Sequence, residues 1–179
     1  MNQDDKVDKI TVFIDYQVKS FFNLFYDCKN IESINFKKFY RNNINNMNGI
    51  FNGCYSLKKI NFSSFNTVNV INMSNMFIGS GSLKELDLSN FITNNVTDMN
   101  SMFYRCSSLK KLNISSFNTN NVRNMSYMFY GCKSLNELNL SNFNTDKVIV
   151  MYCMFTDCSD KLKNKIQKKY NNINKDAFT

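Results

Sequence analysis

Residues 80–105 read SGSLKELDLSNFITNNVTDMNSMFYR, and this stretch recurs along most of the chain with a period of 26 residues. One column shows the period without any insertion, since it holds Cys28, Cys54, Ser80, Cys106, Cys132 and Cys158. A fixed period of this length is typical of repeat proteins, in which each unit stacks against its neighbours. The sequence therefore predicts a solenoid, an architecture that favours binding or scaffolding over catalysis.

The first half of each repeat has the pattern of a short strand. Leu83, Leu86 and Leu88 follow the spacing L-x-x-L-x-L, in which the apolar side chains of a short strand point inward. Apolar residues occupy the same three positions in four further repeats, beginning with Ile31, Leu57, Leu109 and Leu135. We therefore expect five parallel strands that share one apolar register.

The second half of each repeat has apolar residues at helical spacing. Val96, Met99 and Phe103 lie at i, i+3 and i+7, which places them on one face of a helix. Between the two halves stands a phenylalanine row that we expect to stack as an aromatic spine, formed by Phe39, Phe65, Phe91, Phe117 and Phe143. The predicted fold class is α/β, a leucine-rich-repeat-like solenoid with one short parallel strand and one short helix in each of about five repeats.

The two ends of the chain depart from the repeat. Residues 1–27 keep the apolar pattern of the second half and lack the strand leucines, which predicts a degenerate N-terminal cap. Residues 28–158 form the predicted solenoid. In residues 159–179, apolar residues at helical spacing stand among six lysines, which predicts a basic amphipathic helix that caps the C-terminal end of the core.

Composition argues against several classes of function. The 179 residues include no His, so nucleophile pairs and zinc sites that need imidazole are excluded. The formal net charge of +8 is spread without an arginine-rich stripe, and we expect no nucleic-acid partner. No apolar stretch approaches the roughly 20 residues that cross a bilayer. We expect no enzyme, no cofactor, no metal site and no membrane insertion.

Four segments carry a resemblance to a known family: Met73–Phe77, Leu83–Phe91, Met125–Phe129 and Cys132–Thr145. They resemble the 26-residue repeat of BspA-like leucine-rich-repeat surface proteins, and the resemblance covers about residues 28–158. It implies a leucine-rich-repeat-like solenoid and, for many members, display on the cell surface with adhesion to host or matrix proteins. The acidic start MNQDDKVDKI is unlike a signal peptide and by itself indicates an intracellular protein. The location therefore stays open.

The outward face of the predicted strands carries polar side chains in three columns. In the first column the charges alternate in sign, so each has an opposite neighbour about 4.8 Å away. One interpretation is a surface whose charges satisfy each other, and the other is a platform for a protein or a glycan. The predicted binding residues are Lys59, Asn61, Ser63, Glu85, Asp87, Ser89, Lys111, Asn113, Ser115, Glu137, Asn139 and Ser141.

We predict from this face a non-enzymatic protein-binding repeat domain of adhesin or scaffold type. The alternative is a structural spacer within a longer repeat protein. Catalysis by Glu85 and Asp87 is not expected, because an open strand face has no enclosing pocket that would shift a pKa. The sequence does not indicate an oligomeric state.

The cysteine column has three interpretations. The first is a buried ladder of reduced thiols, and the second is a set of disulfides, which parallel side-chain directions would strain. The third is a metal site, against which stands the absence of a C-x-x-C pair from the sequence. Cys153 lies outside the column and is the candidate for a reactive thiol.

Overall fold

Short parallel strands occur where the leucine pattern predicts them. The structure, a computed structural model, describes residues 18–36 and 42–179. Its four strands have three residues each, namely β1 (Ser33–Asn35), β2 (Lys59–Asn61), β3 (Glu85–Asp87) and β4 (Lys111–Asn113). The pairs β1 with β2 and β3 with β4 form two separate two-stranded sheets, and each pair is offset by one 26-residue period.

The prediction of five strands in one register is wrong in two places. No strand ladder joins β2 to β3, and the described residues 137–139 contain no strand. In the third repeat Leu88 N donates to Asn113 O, a backbone atom of the next repeat. The equivalent Leu140 N donates instead to the hydroxyl of Tyr170 at 2.9 Å. A side chain thus replaces the backbone partner that a further strand would supply.

The helix predicted in each repeat is absent from the described residues. Tight turns stand in its place, and their backbone groups bond to the next repeat. Phe77 N donates to Met102 O at 2.9 Å, and the same bond recurs at the other repeats from Phe25 to Phe129. Positive φ angles occur twice in each turn segment, for example at Ser101 and Arg105. Left-handed residues four positions apart interrupt an α-helix, which is the physical reason that none forms.

The burial expected from the helical spacing is nevertheless confirmed. Val96, Met99 and Phe103 are fully buried. Within the turns, backbone N–H groups also donate three residues back, as Met102 N does to Met99 O at 3.3 Å. A spacing of three to four residues therefore suits these turns as well as a helix, and the apolar pattern alone does not separate the two structures.

The continuous aromatic stack runs through Phe103 and not through the predicted row. Phe103 stacks on Phe77 at 5.7 Å and on Phe129 at 5.5 Å between ring centroids. Stacked pairs extend this row to Phe25 in one direction and to Phe178 in the other. The bond from each phenylalanine N–H to the next repeat holds the rings in register, whereas Phe91 N bonds within its own repeat, to Leu88 O.

The predicted row forms part of the core without forming that stack. Phe65, Phe91, Phe117 and Phe143 are buried, and Phe65 stacks on Phe91 at 5.9 Å. Phe39 lies outside the described residues, as do residues 1–17 of the predicted N-terminal cap.

The predicted C-terminal cap is a helix followed by a segment that behaves like part of a repeat. Helix α1 (Asp160–Lys169) begins at Ser159, whose hydroxyl accepts from Leu162 N, and it buries Leu162 and Ile166. A short 3-10 helix (Lys175–Ala177) follows. The single helix expected over residues 159–179 is therefore shorter than predicted. No helix in the described parts of the chain has both the length and the apolar character needed to span a membrane.

The last residues supply bonds that a further repeat would supply. Cys153 N donates to Asp176 O at 2.8 Å, and Phe155 N donates to Ala177 O. The ring of Phe178 stacks on Phe155 at 5.4 Å. We call residues 174–179 the closing segment, because they satisfy the final turn of the repeat array.

Candidate functional site

The predicted binding residues all lie on the surface. Each of the twelve is exposed, and they occupy three positions in each of four successive repeats. Because alternate residues of a strand point to the same side, the first and second residues of the pattern share one face of the sheets. The structure therefore presents these side chains to solvent, while their role in binding stays a prediction.

The column of amides and Asp87 has a structural task at the end of each strand. Asp87 accepts a hydrogen bond from Ser89 N at 2.9 Å, and Asn113 accepts one from Ser115 N at 3.2 Å. The same turn closes after Asn61 and Asn139. The amide and hydroxyl of Ser89 hold the pKa of Asp87 below its usual value. Part of the hydrogen-bonding capacity of this column is thus used by the fold.

The predicted alternation of charges is only partly realised. Lys111 Nζ lies 2.7 Å from Glu85 Oε1, and this bond lowers the pKa of Glu85 and raises that of Lys111. Glu137 pairs with Lys165 of α1 at 2.8 Å, and not with Lys111. Lys59 has no ion-pair partner among the described residues, and Glu85, the carboxylate predicted to neighbour it, is bonded to Lys111.

A wide groove crosses β3, β4 and the fifth repeat and ends at α1. Its volume is about 1220 Å³. Six of the twelve predicted binding residues line it, namely Glu85, Asp87, Lys111, Asn113, Glu137 and Asn139. Lys59 lines a smaller cavity of about 530 Å³ beside Glu85, and the five remaining predicted residues line neither space. We refer to the larger space as the groove.

Sequence reasoning missed the residues that form one wall of the groove. These are Lys165, Lys168, Lys169 and Tyr170, at the end of α1, and Lys110 joins them from the strand side. The sequence signal for the four residues of this wall that follow Asp160 was the lysine-rich amphipathic pattern of residues 159–179. That pattern predicts a cap, but it does not say on which side of the repeats the lysines lie.

From Cys54 to Cys158 the cysteine column forms a ladder of hydrogen bonds. Cys106 Sγ donates to Phe77 O at 3.2 Å, and the thiols of Cys54, Cys132 and Cys158 make the equivalent bond. Ser80 Oγ makes it too, to Phe51 O at 3.3 Å, which explains how serine fits the column. All six cysteines are free thiols in the structure. Burial raises the pKa of Cys106 to about 12.

Replacing Cys106 by serine is expected to change the pH dependence of stability. A thiol whose pKa rises on folding contributes fully below its unfolded pKa near 9.0, and this contribution is lost as the pH rises toward about 12. Above pH 9 the wild type should therefore lose up to roughly 1.4 kcal/mol per pH unit relative to Cys106→Ser. Urea unfolding of both proteins from pH 7 to 11 measures this difference in stability. Lysines and tyrosines titrate in the same range, but their contributions are common to both proteins and cancel in the difference. Parallel curves would contradict the prediction.

Cys153 lies among tyrosines on the turn segments. It is half-buried, and a hydrogen bond with Tyr127 is among the causes that raise the pKa of that tyrosine, after burial and the charge effects of Cys153 and Tyr152. Tyr127 packs edge-on against Tyr152 at 5.3 Å. The reactivity of the Cys153 thiol stays a prediction.

Comparison with known families gives one result. The model of a family described as Mycoplasma protein of unknown function, DUF285, matches residues 19–113 and again residues 81–177. The two matches overlap and agree with the repeat nature predicted from the 26-residue period. Comparisons with curated proteins and with solved structures find no match.

Proposed function

This chain belongs to the family described as Mycoplasma protein of unknown function, DUF285, and on that premise we propose that it is a non-enzymatic repeat module that binds another protein in the groove. In this proposal the repeats form a leucine-rich-repeat-like solenoid. The BspA-like resemblance of residues 28–158 supports a role of adhesin or scaffold type.

The observation that carries the proposal is the groove itself. A space of about 1220 Å³ gathers six exposed polar residues from three successive repeats and closes against a helix. Extended faces of repeat proteins are their usual binding surfaces. The ion pair of Glu85 with Lys111 is exposed and adds little to stability, so a partner can contact it as a pair without disturbing the fold.

The test uses a library of random peptides displayed on phage and selected on the purified protein. Affinities of selected peptides are then measured for the wild type and for Glu85→Gln with Lys111→Gln, which removes the groove ion pair without changing the net charge. We expect the double variant to weaken binding roughly fivefold, as loss of partly solvated polar contacts does. Equal affinity for both proteins would refute binding in the groove.

A matched control comes from an exposed ion pair between two earlier repeats. Glu32 and Lys58 form an ion pair of 2.8 Å outside the groove. Glu32→Gln with Lys58→Gln removes the same kinds of group, and peptide affinity should stay within about twofold of the wild type. Thermal unfolding of both double variants establishes that the fold is retained.

The spacer alternative makes a different prediction. Deletion of residues 81–106 removes one period, including β3, and joins equivalent positions of neighbouring repeats. If the chain is a spacer, the shortened protein folds and the selected peptides bind it with the same affinity as they bind the wild type. A binding module loses its peptides with this deletion although the shortened chain still folds.

A further inference from the structure

Positively charged side chains outnumber negatively charged ones around the groove. Among the described residues, five lysines and three carboxylates line it. Lys111 and Lys165 are neutralised by Glu85 and Glu137, and the carboxylate of Asp87 is bonded to Ser89 N. The lysines that remain without a carboxylate partner in the described part of the chain are Lys110, Lys168 and Lys169.

We propose that the groove takes a short extended peptide segment rich in Asp and Glu, whose carboxylates lie against Lys168, Lys169 and Lys110. This inference rests on the proposed function and names the chemistry of its partner. Charge complementarity is the first argument. Lys168 and Lys169 at the α1 wall and Lys110 on the strand side have no carboxylate partner, whereas the groove carboxylates already have partners. Lys169 Nζ lies 5.2 Å from the ring centroid of Tyr170, a contact that leaves its charge without a counterion.

The hydrogen-bonding groups of the groove favour the same ligand. Asn139 Oδ1 accepts from Ser141 N at 3.1 Å and from the hydroxyl of Tyr170 at 3.2 Å. Its NH2 group has no partner among the described residues and remains a donor. Donors and lysines together match a chain of carboxylates and carbonyls better than they match a basic segment.

The size of the groove suits an extended segment. It crosses β3, β4 and the fifth repeat, and neighbouring strands lie about 4.8 Å apart. The two strands, the equivalent stretch of the fifth repeat and the adjoining helix span roughly 15–20 Å, which corresponds to about five extended residues at 3.3 Å each. The half-buried Leu112 and Leu138 lie between the polar columns and provide apolar contact along this path.

Lys168 and Lys169 also have a structural role. They stand in the last turn of α1, where positive charge is favourable at the negative end of the helix dipole. A test of binding must therefore separate loss of affinity from loss of the helix. Glutamine substitutions remove the charge and preserve helix propensity, and thermal unfolding monitors the fold.

The experiment uses the full chain and two fluorescein-labelled pools of peptides of about ten residues. One pool combines Asp and Glu with Ser and Leu, and the other replaces the acids by Lys and Arg. We expect the acidic pool to bind, to weaken as salt rises, and to weaken roughly fivefold for Lys168→Gln with Lys169→Gln. The control Arg123→Gln with Lys133→Gln has the same change in net charge outside the groove and should stay within about twofold.

Several results overturn this inference and separate it from the proposed function. Equal binding of the two pools, no binding of the acidic pool, or unchanged affinity of the Lys168 and Lys169 variant refutes it. Binding of dextran sulfate without binding of the acidic pool assigns the lysines to an anionic glycan and refutes it as well. Groove-dependent peptides from the phage library that lack acidic residues refute the acidic partner while leaving the proposed function in place.

Discussion

Replacing Phe103 by alanine is expected to lower the free energy of unfolding by about 3–5 kcal/mol. The ring is fully buried, and it stacks on Phe77 and Phe129 at centroid distances of 5.7 and 5.5 Å. Alanine leaves a cavity between two rings whose backbones are fixed by the bonds between repeats, so the site cannot collapse easily. Urea unfolding followed by circular dichroism measures the loss.

Two further variants make the Phe103 prediction decisive. Phe103→Leu retains most of the volume and should cost less than about 1.5 kcal/mol, which keeps the test valid if the alanine variant does not fold. Phe22→Ala removes a ring that is 58% exposed and should change stability by less than about 0.5 kcal/mol. Similar losses for the Phe22 and Phe103 alanine variants would contradict a continuous stabilising stack.

Removing the closing segment, residues 174–179, is the second change with a large expected effect. It deletes the acceptors of Cys153 N and Phe155 N and the ring that stacks on Phe155. Two hydrogen bonds at about 1 kcal/mol each and an aromatic contact at about 0.5–1.5 kcal/mol predict a decrease in stability of roughly 2.5–3.5 kcal/mol. Urea unfolding measures the decrease.

Hydrogen exchange locates the effect of that truncation. The amides of Cys153 and Phe155 should lose protection, whereas Phe77 N, bonded to Met102 O at 2.9 Å, should keep it. The control Lys175→Ala changes an exposed residue of the same segment and should leave both amides protected. Unchanged protection at Phe155 after truncation would show that the closing segment does not hold the last repeat.

Several features of the fold were predictable from the sequence because they depend on residue type and period alone. The strand positions β1 to β4 follow from the leucine spacing, and the burial of Val96, Met99 and Phe103 follows from their apolar character. Exposure of Glu85 and Asp87 follows from alternation along a strand. These inferences need no knowledge of how the repeats bond to each other.

The features that were not predictable depend on backbone conformation and tertiary placement. A spacing of three to four residues fits a helix and a series of tight turns equally, and only the positive φ values at residues such as Ser101 and Arg105 distinguish them. The pairing of Glu137 with Lys165 requires α1 to lie beside the fifth repeat. No periodic pattern contains that position, so the lysine wall of the groove was missed.

The bonds between repeats also determine when during synthesis each part of the chain can fold. The bond from Phe77 N cannot form until its acceptor, Met102 O, has been synthesised 25 residues later. The same interval separates Phe103 N from Met128 O. Each turn therefore obtains its backbone acceptors only after the repeat that follows it has been synthesised. Cys153 and Phe155 obtain their acceptors only when Asp176 and Ala177 have been made.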